Sequence, residues 1–201
     1  MTIESADITG WVLAGGRGTR MGNADKGLHN FRGMPLALHA ILRLAPQVGR
    51  TMIGANRNLA AYEAMGVPVW PDTEPGYRGP LAGWLSGLEH CTTRYLAVVP
   101  CDAPWLPTDL VARLAGALAA ADAEIALAAT RKEGSICTHE QFCLLDSMLL
   151  ESLARFLRAS GEDFDDWSRQ HRCTHAVFDD PQAFRDANTL DELRQLEARS
   201  A

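Results

Sequence analysis

Ile8-Thr9-Gly10-Trp11-Val12-Leu13-Ala14-Gly15-Gly16-Arg17-Gly18-Thr19-Arg20-Met21-Gly22, with Asp25-Lys26 just beyond, decides how this chain is read. Ile8–Leu13 has the apolar content of a buried strand. It feeds a loop with four glycines, two arginines and then a lysine. Glycine lets the main chain approach a ligand closely and adopt positive φ. Successive N–H groups in such a loop form a concavity for anions. Arg17, Arg20 and Lys26 add full positive charge around it. Two familiar phosphate loops do not fit. The Walker pattern needs Gly-Lys-Ser/Thr after four residues, whereas Lys26 sits between Asp25 and Gly27. The Gly-x-Gly-x-x-Gly fingerprint fails because Met21 holds the third glycine position.

Length and composition narrow the field. The chain has 201 residues, 47% of them hydrophobic, and a formal charge of −6. That suits one soluble domain with a sizeable core. A net acidic chain is not a generic nucleic-acid binder. Lysine is scarce: Lys26 and Lys132 stand against seventeen arginines. A lysine kept beside a phosphate loop in such a chain is informative, because a compact point charge suits a phosphate. Residues 1–7 lack the basic start and apolar core of a signal peptide, and no run is long enough to span a membrane. Cys91, Cys101, Cys137, Cys143 and Cys173 have no C-x-x-C spacing, so free thiols in a reducing compartment are expected.

Strand and helix signals alternate. Thr51–Ala55, Val67–Trp70, Tyr95–Val99, Ile125–Ala129, Phe142–Leu145 and Thr174–Phe178 read as strands. Pro35 is placed to start a helix carrying Leu38, Ile41, Leu42 and Ala45. Leu81, Trp84, Leu85 and Leu88 repeat that stripe. Thr108 reads as an N-cap before Val111, Leu114, Ala115 and Leu118. Leu150, Leu153, Ala154 and Leu157 form a further stripe. Thr189 and Glu192 form a capping box for a final helix. The pattern predicts an α/β fold: a three-layer domain with a mostly parallel central sheet. Ligands then bind at the carboxyl ends of the strands. The glycine loop, Pro71-Asp72 and Pro100-Cys101-Asp102-Ala103-Pro104 all fall there.

Each of these residues has a functional and a structural reading. Asp102 ends an apolar strand and could hold Mg²⁺, which takes one or two carboxylates plus phosphates; a turn aspartate bonding its own backbone is the alternative. Asp72 could touch a base or ribose, or simply serve its turn. Gly79-Pro80-Leu81-Ala82-Gly83 opens a helix with small residues that allow close approach. Asn56-Arg57 could touch a base and a phosphate, or lie solvated.

The string L-A-G-G-x-G-x-R-M-G with D-K downstream resembles the signature of enzymes that move NMP from an NTP to an acceptor. Together with Gly33-x-Pro35-Leu36, Asn56-Arg57, Asp72, Gly79–Gly83, Pro100-Cys101-Asp102-x-Pro104 and Asn188-Thr189, it resembles the molybdenum cofactor guanylyltransferase family across nearly the whole chain. The resemblance implies a Rossmann-like nucleotidyltransferase fold and transfer of GMP from GTP to molybdenum-bearing molybdopterin, with Mg²⁺. It implies catalytic roles for Arg20, Lys26 and Asp102, the last as metal ligand. Leu13, Ala14, Gly15, Gly16, Lys26, Gly54, Asn56, Asp72, Gly79, Pro80, Leu81, Gly83 and Asp102 would line the nucleotide site. It further implies a nucleotide-binding half over 8–107 and an acceptor-binding half over 108–201, in a cytoplasmic monomer. GTP, the molybdopterin cofactor, and molybdoenzyme apoproteins or their chaperones are the implied partners, with no nucleic acid and no membrane.

The sequence departs from the family pattern in places. Gly54 stands where an asparagine is common. Glu162 and Asp163 follow Gly161, where a basic residue is usual. His139-Glu140-Gln141-Phe142 lacks a proline, and Leu190 replaces the proline after Asn-Thr. The expected charge for a phosphate-bearing acceptor therefore falls to Arg155, Arg158, Arg169 and Arg172, unless these four simply balance the acidic patch on the surface. A related enzyme using CTP or another phosphorylated acceptor is an alternative. A catalytically silent nucleotide-binding protein, with Glu162–Asp166 as a docking surface, is another.

Overall fold

The computed structural model describes residues 2–16, 25–73, 79–132, 134–187 and 189–198. Among them, nine strands and seven α-helices alternate. They are β1 (Ile8–Leu13), β2 (Asn30–Phe31), β3 (Met34–Pro35), α1 (Leu36–Leu44), β4 (Arg50–Gly54), α2 (Leu59–Glu63), β5 (Val69–Trp70) and α3 (Pro80–His90). Then follow β6 (Tyr95–Pro100), α4 (Leu110–Ala121), β7 (Ile125–Lys132), β8 (Ser135–Asp146), α5 (Leu150–Arg158), α6 (Phe164–Ser168), β9 (Cys173–Phe178) and α7 (Leu190–Ala198).

Seven strands form one sheet in the order β5-β4-β1-β6-β8-β7-β9. β1 lies at the middle of its parallel run, pairing with β4 through Val12↔Ile53 and with β6 through Val12↔Val99. β1 and β6 are buried along nearly their whole length because helices cover both faces, and they are apolar but for Thr9, whose hydroxyl bonds Thr93 at 2.8 Å. On one face, Val12, Val99, Leu144 and Ala128 pack with Ala40, Leu44 and Leu114 of α1 and α4. On the other, Trp11, Leu96, Val98 and Cys143 pack with Trp84, Leu88, Leu153 and Trp167 of α3, α5 and α6.

The expected α/β architecture is present, with one difference in direction. β8 runs antiparallel to both β6 and β7. Its register against β7 jumps between Leu127↔Cys143 and Ala128↔His139, so Glu140, Gln141 and Phe142 form a bulge. Only Cys143–Asp146 pair with β6; the outer half of β8 pairs with β7 alone. The antiparallel strand brings its own amino-terminal half, rather than a following loop, toward the site edge.

Helix starts also differ in detail. The N-cap of α4 is Asp109, not Thr108, and its side chain makes no cap bond. Gln47 supplies one instead: its Oε1 accepts from Val111 N at 3.0 Å. The Thr189–Glu192 box is formed, with Thr189 N donating to Glu192 (2.9 Å) and Glu192 N to Thr189 Oγ1 (3.2 Å). Glu162–Asp166 is the start of α6: Asp163 caps it, accepting from Asp165 N and Asp166 N.

Candidate active site

The carboxyl ends of β1, β4, β5 and β6 meet along one edge of the sheet. The ladder runs one residue past β1. Ala14 N donates to Gly54 O at 2.8 Å, and Leu13 O accepts from Cys101 N at 3.0 Å. Ala14 is thereby fixed in the sheet, and the turn toward a ligand begins at Gly15.

Asn56 ties that turn to Asp72. Its Nδ2 donates to Gly15 O (3.0 Å) and Asp72 Oδ2 (2.7 Å), and its Oδ1 accepts from Asp72 N (2.8 Å). Gly15 has no room for a side chain, since a Cβ would lie 2.8 Å from Asn56 Nδ2. Burial raises the Asp72 pKa, against the lowering effect of the Asn56 bond. Gly83 sits on the buried side of α3, where a Cβ would meet Leu13 Cδ2 at 2.7 Å. The glycine therefore lets α3 close on the end of β1. Leu81 is buried beside it; Gly79 and Pro80 are exposed, with Gly79 at φ +83° ahead of Pro80 at the first helical position. Gly54 is also constrained by packing: a Cβ there would lie 2.5 Å from the Trp11 ring.

Lys26 and Asp102 meet across the edge, Nζ to Oδ2 at 3.1 Å. They come from segments 76 residues apart. Asp102 is buried, and its backbone carbonyl accepts from Ala187 N at 3.1 Å. Burial raises its pKa, Lys26 opposes that, and the charge of Asp186 adds to it. A buried carboxylate facing a lysine is a charge-assisted pair, in which the carboxylate oxygens are the hard donors open to a cation. Among the described residues no group of three or more His, Cys, Asp or Glu is placed to hold a metal. That donor set fits a Mg²⁺ completed by substrate phosphates and not a closed protein cage. Arg20 and the rest of residues 17–24 lie outside the described residues, as do Arg78 and Asn188.

Asp25 belongs to the site although its sequence context showed only its neighbour Lys26. It accepts from the Tyr62 hydroxyl and from Asn58 Nδ2 (3.0 Å), with Arg57 Nε 3.7 Å away. Arg57 also donates to Gly16 O at 3.4 Å. No local pattern reveals these partners, which come from α2 and the turn before it.

Beyond Asp102 a pocket is lined by Pro100, His139, Glu140, Gln141, Phe142, Phe184 and Asp186. His139 stacks on Phe184 with ring centroids 4.6 Å apart, and its Nε2 lies 2.9 Å from Thr130 Oγ1. Burial lowers the His139 pKa, with Asp186 opposing. Burial, Asp165 and Asp163 raise that of Glu140.

The expected acceptor arginines divide. Arg172 lies at the far edge of the sheet: its carbonyl accepts from Glu124 N and Ile125 N at the amino end of β7, and its Nε donates to Asp122 O. Arg169 pairs with Asp166 at 3.0 Å on the surface. Arg172 therefore sits at the end of the sheet opposite the site, and Arg169 is engaged with Asp166. Arg155 and Arg158 are exposed in the last turn of α5, which starts near the amino end of β6 and runs back toward the site edge.

A glycine turn after the first strand, a lysine–aspartate pair and a second aspartate held by Asn56 lie along one edge, the arrangement of a nucleotidyltransferase-type site. Residues 10–176 match the model of the MobA-like NTP transferase domain. The chain belongs to that family. A molybdenum cofactor guanylyltransferase of Bordetella petrii is 60% identical over 96% of this chain and 99% of its own length. The enzyme of that name from Bordetella pertussis is 58% identical over 98% and 100%. Among solved structures, molybdopterin-guanine dinucleotide biosynthesis protein A from Archaeoglobus fulgidus superposes with a TM-score of 0.76 at 18% identity, over 95% of this chain and 97% of that one. At that identity the likeness is one of fold.

Proposed function

We propose that this protein transfers GMP from GTP to molybdenum-bearing molybdopterin, giving the guanine dinucleotide cofactor and pyrophosphate. The observation that supports this reading best is the order of parts along the sheet edge. Asn56 and Asp72 lie beyond β4 and β5, Gly15 beyond β1, Lys26 and Asp102 at β6, and the aromatic pocket at β8. That order matches guanosine, triphosphate, reacting phosphorus and acceptor in line. On this reading residues 8–107 serve the nucleotide and 108–201 the acceptor.

Asp72 accepts from the donors of the guanosine end, held in place by Asn56. The Gly15–Gly16 backbone and the Lys26 ammonium take the triphosphate, and Arg20 adds charge. Asp102 would hold Mg²⁺, which supplies neutralisation of charge on the phosphates. The terminal phosphate oxygen of the acceptor bonds to the α-phosphorus; the bond from that phosphorus to the β-bridging oxygen breaks, and its electron pair leaves with pyrophosphate. Positioning and electrostatics supply the catalysis.

His139, partly exposed and backed by the buried rings of Phe184 and Phe142, is the flat surface that suits a fused heterocyclic ring such as a pterin. Arg155 and Arg158 are the basic side chains offered to the acceptor's phosphate. Cys101 and Cys143 are buried free thiols, in keeping with a cytoplasmic enzyme. It acts there as a monomer that passes its product to molybdoenzyme apoproteins or their chaperones. The test is pyrophosphate release with molybdenum-loaded acceptor, comparing GTP with CTP and with and without Mg²⁺. Release with GTP and Mg²⁺ alone is expected. Equal rates with CTP would replace the guanosine assignment, and no acceptor-dependent release would leave a binding protein.

A further inference from the structure

We propose that the segment Asn56–Asn58 with Tyr62 is a staple that fixes both flanks of the glycine turn and thereby positions Lys26. The proposal rests on the reading of Lys26 as the phosphate-binding lysine. At the first flank, Asn56 and Arg57 donate to the carbonyls of Gly15 and Gly16. At the second, Tyr62 and Asn58 donate to the two oxygens of Asp25, and Arg57 lies beside the same carboxylate. Lys26 is the next residue and opens a short turn, with Leu28 N donating to Asp25 O and His29 N to Lys26 O. Fixing Asp25 therefore fixes the base of the Lys26 side chain, whose tip meets Asp102.

The surroundings are built for this. Tyr62 is fully buried, and burial with nearby Cys101 and Asp25 raises its pKa, so the hydroxyl stays a donor. Gly27 leaves that hydroxyl its space, since a Cβ there would lie 2.5 Å from the Tyr62 oxygen. Asn58 adopts a left-handed conformation at φ +51°, one that asparagine tolerates, and from it reaches Asp25. A ligand group aimed by a second layer of bonds is what efficient phosphate chemistry requires. These are positioning residues: Asn58 and Tyr62 touch Asp25, not Lys26 itself.

The chain's two lysines make the test direct. Full-length protein isotope-labelled at lysine Cε gives signals for Lys26 and Lys132, and Lys132→Arg assigns them. Tyr62→Phe keeps the ring and removes one donor. Asn58→Gly keeps the backbone conformation at an exposed position, and serves if Tyr62→Phe does not fold. In each variant the Lys26 signal should move in the nucleotide-free protein while that of Lys132 stays. Affinity for GTP should fall by about threefold to tenfold, the usual net worth of a single hydrogen bond felt through a neighbouring residue. A Lys26 signal unmoved in the folded variants overturns the proposal. A signal that moves in the variants, in a wild-type protein that gives no response to GTP, leaves the staple standing and removes the guanylyl reading instead.

Discussion

The two sides of the sheet are organised differently. On the β5–β4–β1–β6 side, polar side chains from distant segments lock onto one another: Asn56 to Gly15 and Asp72, Asp25 to Tyr62 and Asn58, Lys26 to Asp102. On the β8–β7–β9 side, the pocket is walled by stacked rings, and its charges are carboxylates: Glu140 at its rim and Asp186 beside Asp102. The first side is preorganised by hydrogen bonds, the second by shape. Binding a triphosphate needs many directed donors, whereas holding a flat ring needs a surface.

The sharpest way to break that contrast is Lys26→Ala. Losing a charge-assisted bond to phosphate costs about 1.5–3 kcal/mol in binding, and more where the charge also serves the transition state. Turnover should nearly vanish while the melting temperature holds. Unchanged GTP affinity and rate would reduce Lys26 to a local partner of Asp102. Asp102→Asn comes next: shape stays, the charge is lost, and Mg²⁺ dependence should disappear. Normal dependence would move the metal to Asp72.

Asn56→Ala should act through GTP alone. It removes three bonds at once and leaves Asp72 without its orienting amide, for a rise in the GTP KM of roughly tenfold at about 1–2 kcal/mol. The acceptor KM should hold; if both constants rise together, the two sides are not independent. His139→Ala is the mirror test. It removes one ring of the stack, worth about 0.5–1.5 kcal/mol, and should raise the acceptor KM severalfold with GTP affinity unchanged. An effect on GTP instead would place the nucleoside in this pocket.

The smallest effect is a pH dependence. Burial lowers the His139 pKa in the folded protein, so the unfolded chain takes up its proton first. The stability this residue contributes is present above the ordinary histidine value of about 6.5 and is lost as pH falls through it. His139→Phe keeps a ring and cannot titrate. Melts from pH 8 down to about pH 5 should show the wild type losing ground to the variant only below about 6.5. Parallel curves would mean that the imidazole stays solvated.

The same division decides what the sequence discloses. Gly15, Lys26 and Asp102 are legible because a glycine turn and a strand-end aspartate carry their chemistry in local spacing. The Thr189–Glu192 box is legible for the same reason. Asp25 and Tyr62 are not, because their bond joins residues 37 apart and no local pattern marks it. The direction of β8 is hidden too: an apolar run buried on both faces looks alike whichever way it points. Thr108 fails as a cap because Gln47, 64 residues from the Val111 N–H it accepts from, does the work from another element. Arg172 fails as an acceptor ligand because sequence order does not tell which edge of the sheet a strand's first residue faces.

The bulge in β8 has a consequence for how such an enzyme could change its trade. Cys143–Asp146 anchor the strand to β6, which delivers Asp102, while Ser135–His139 pair only with β7 and Glu140–Phe142 bulge between the two. The register that places Asp102 therefore does not depend on that outer half. The β8 wall of the pocket is thus set apart in register from the strand that carries Asp102, so that one can drift in sequence while the other stays put.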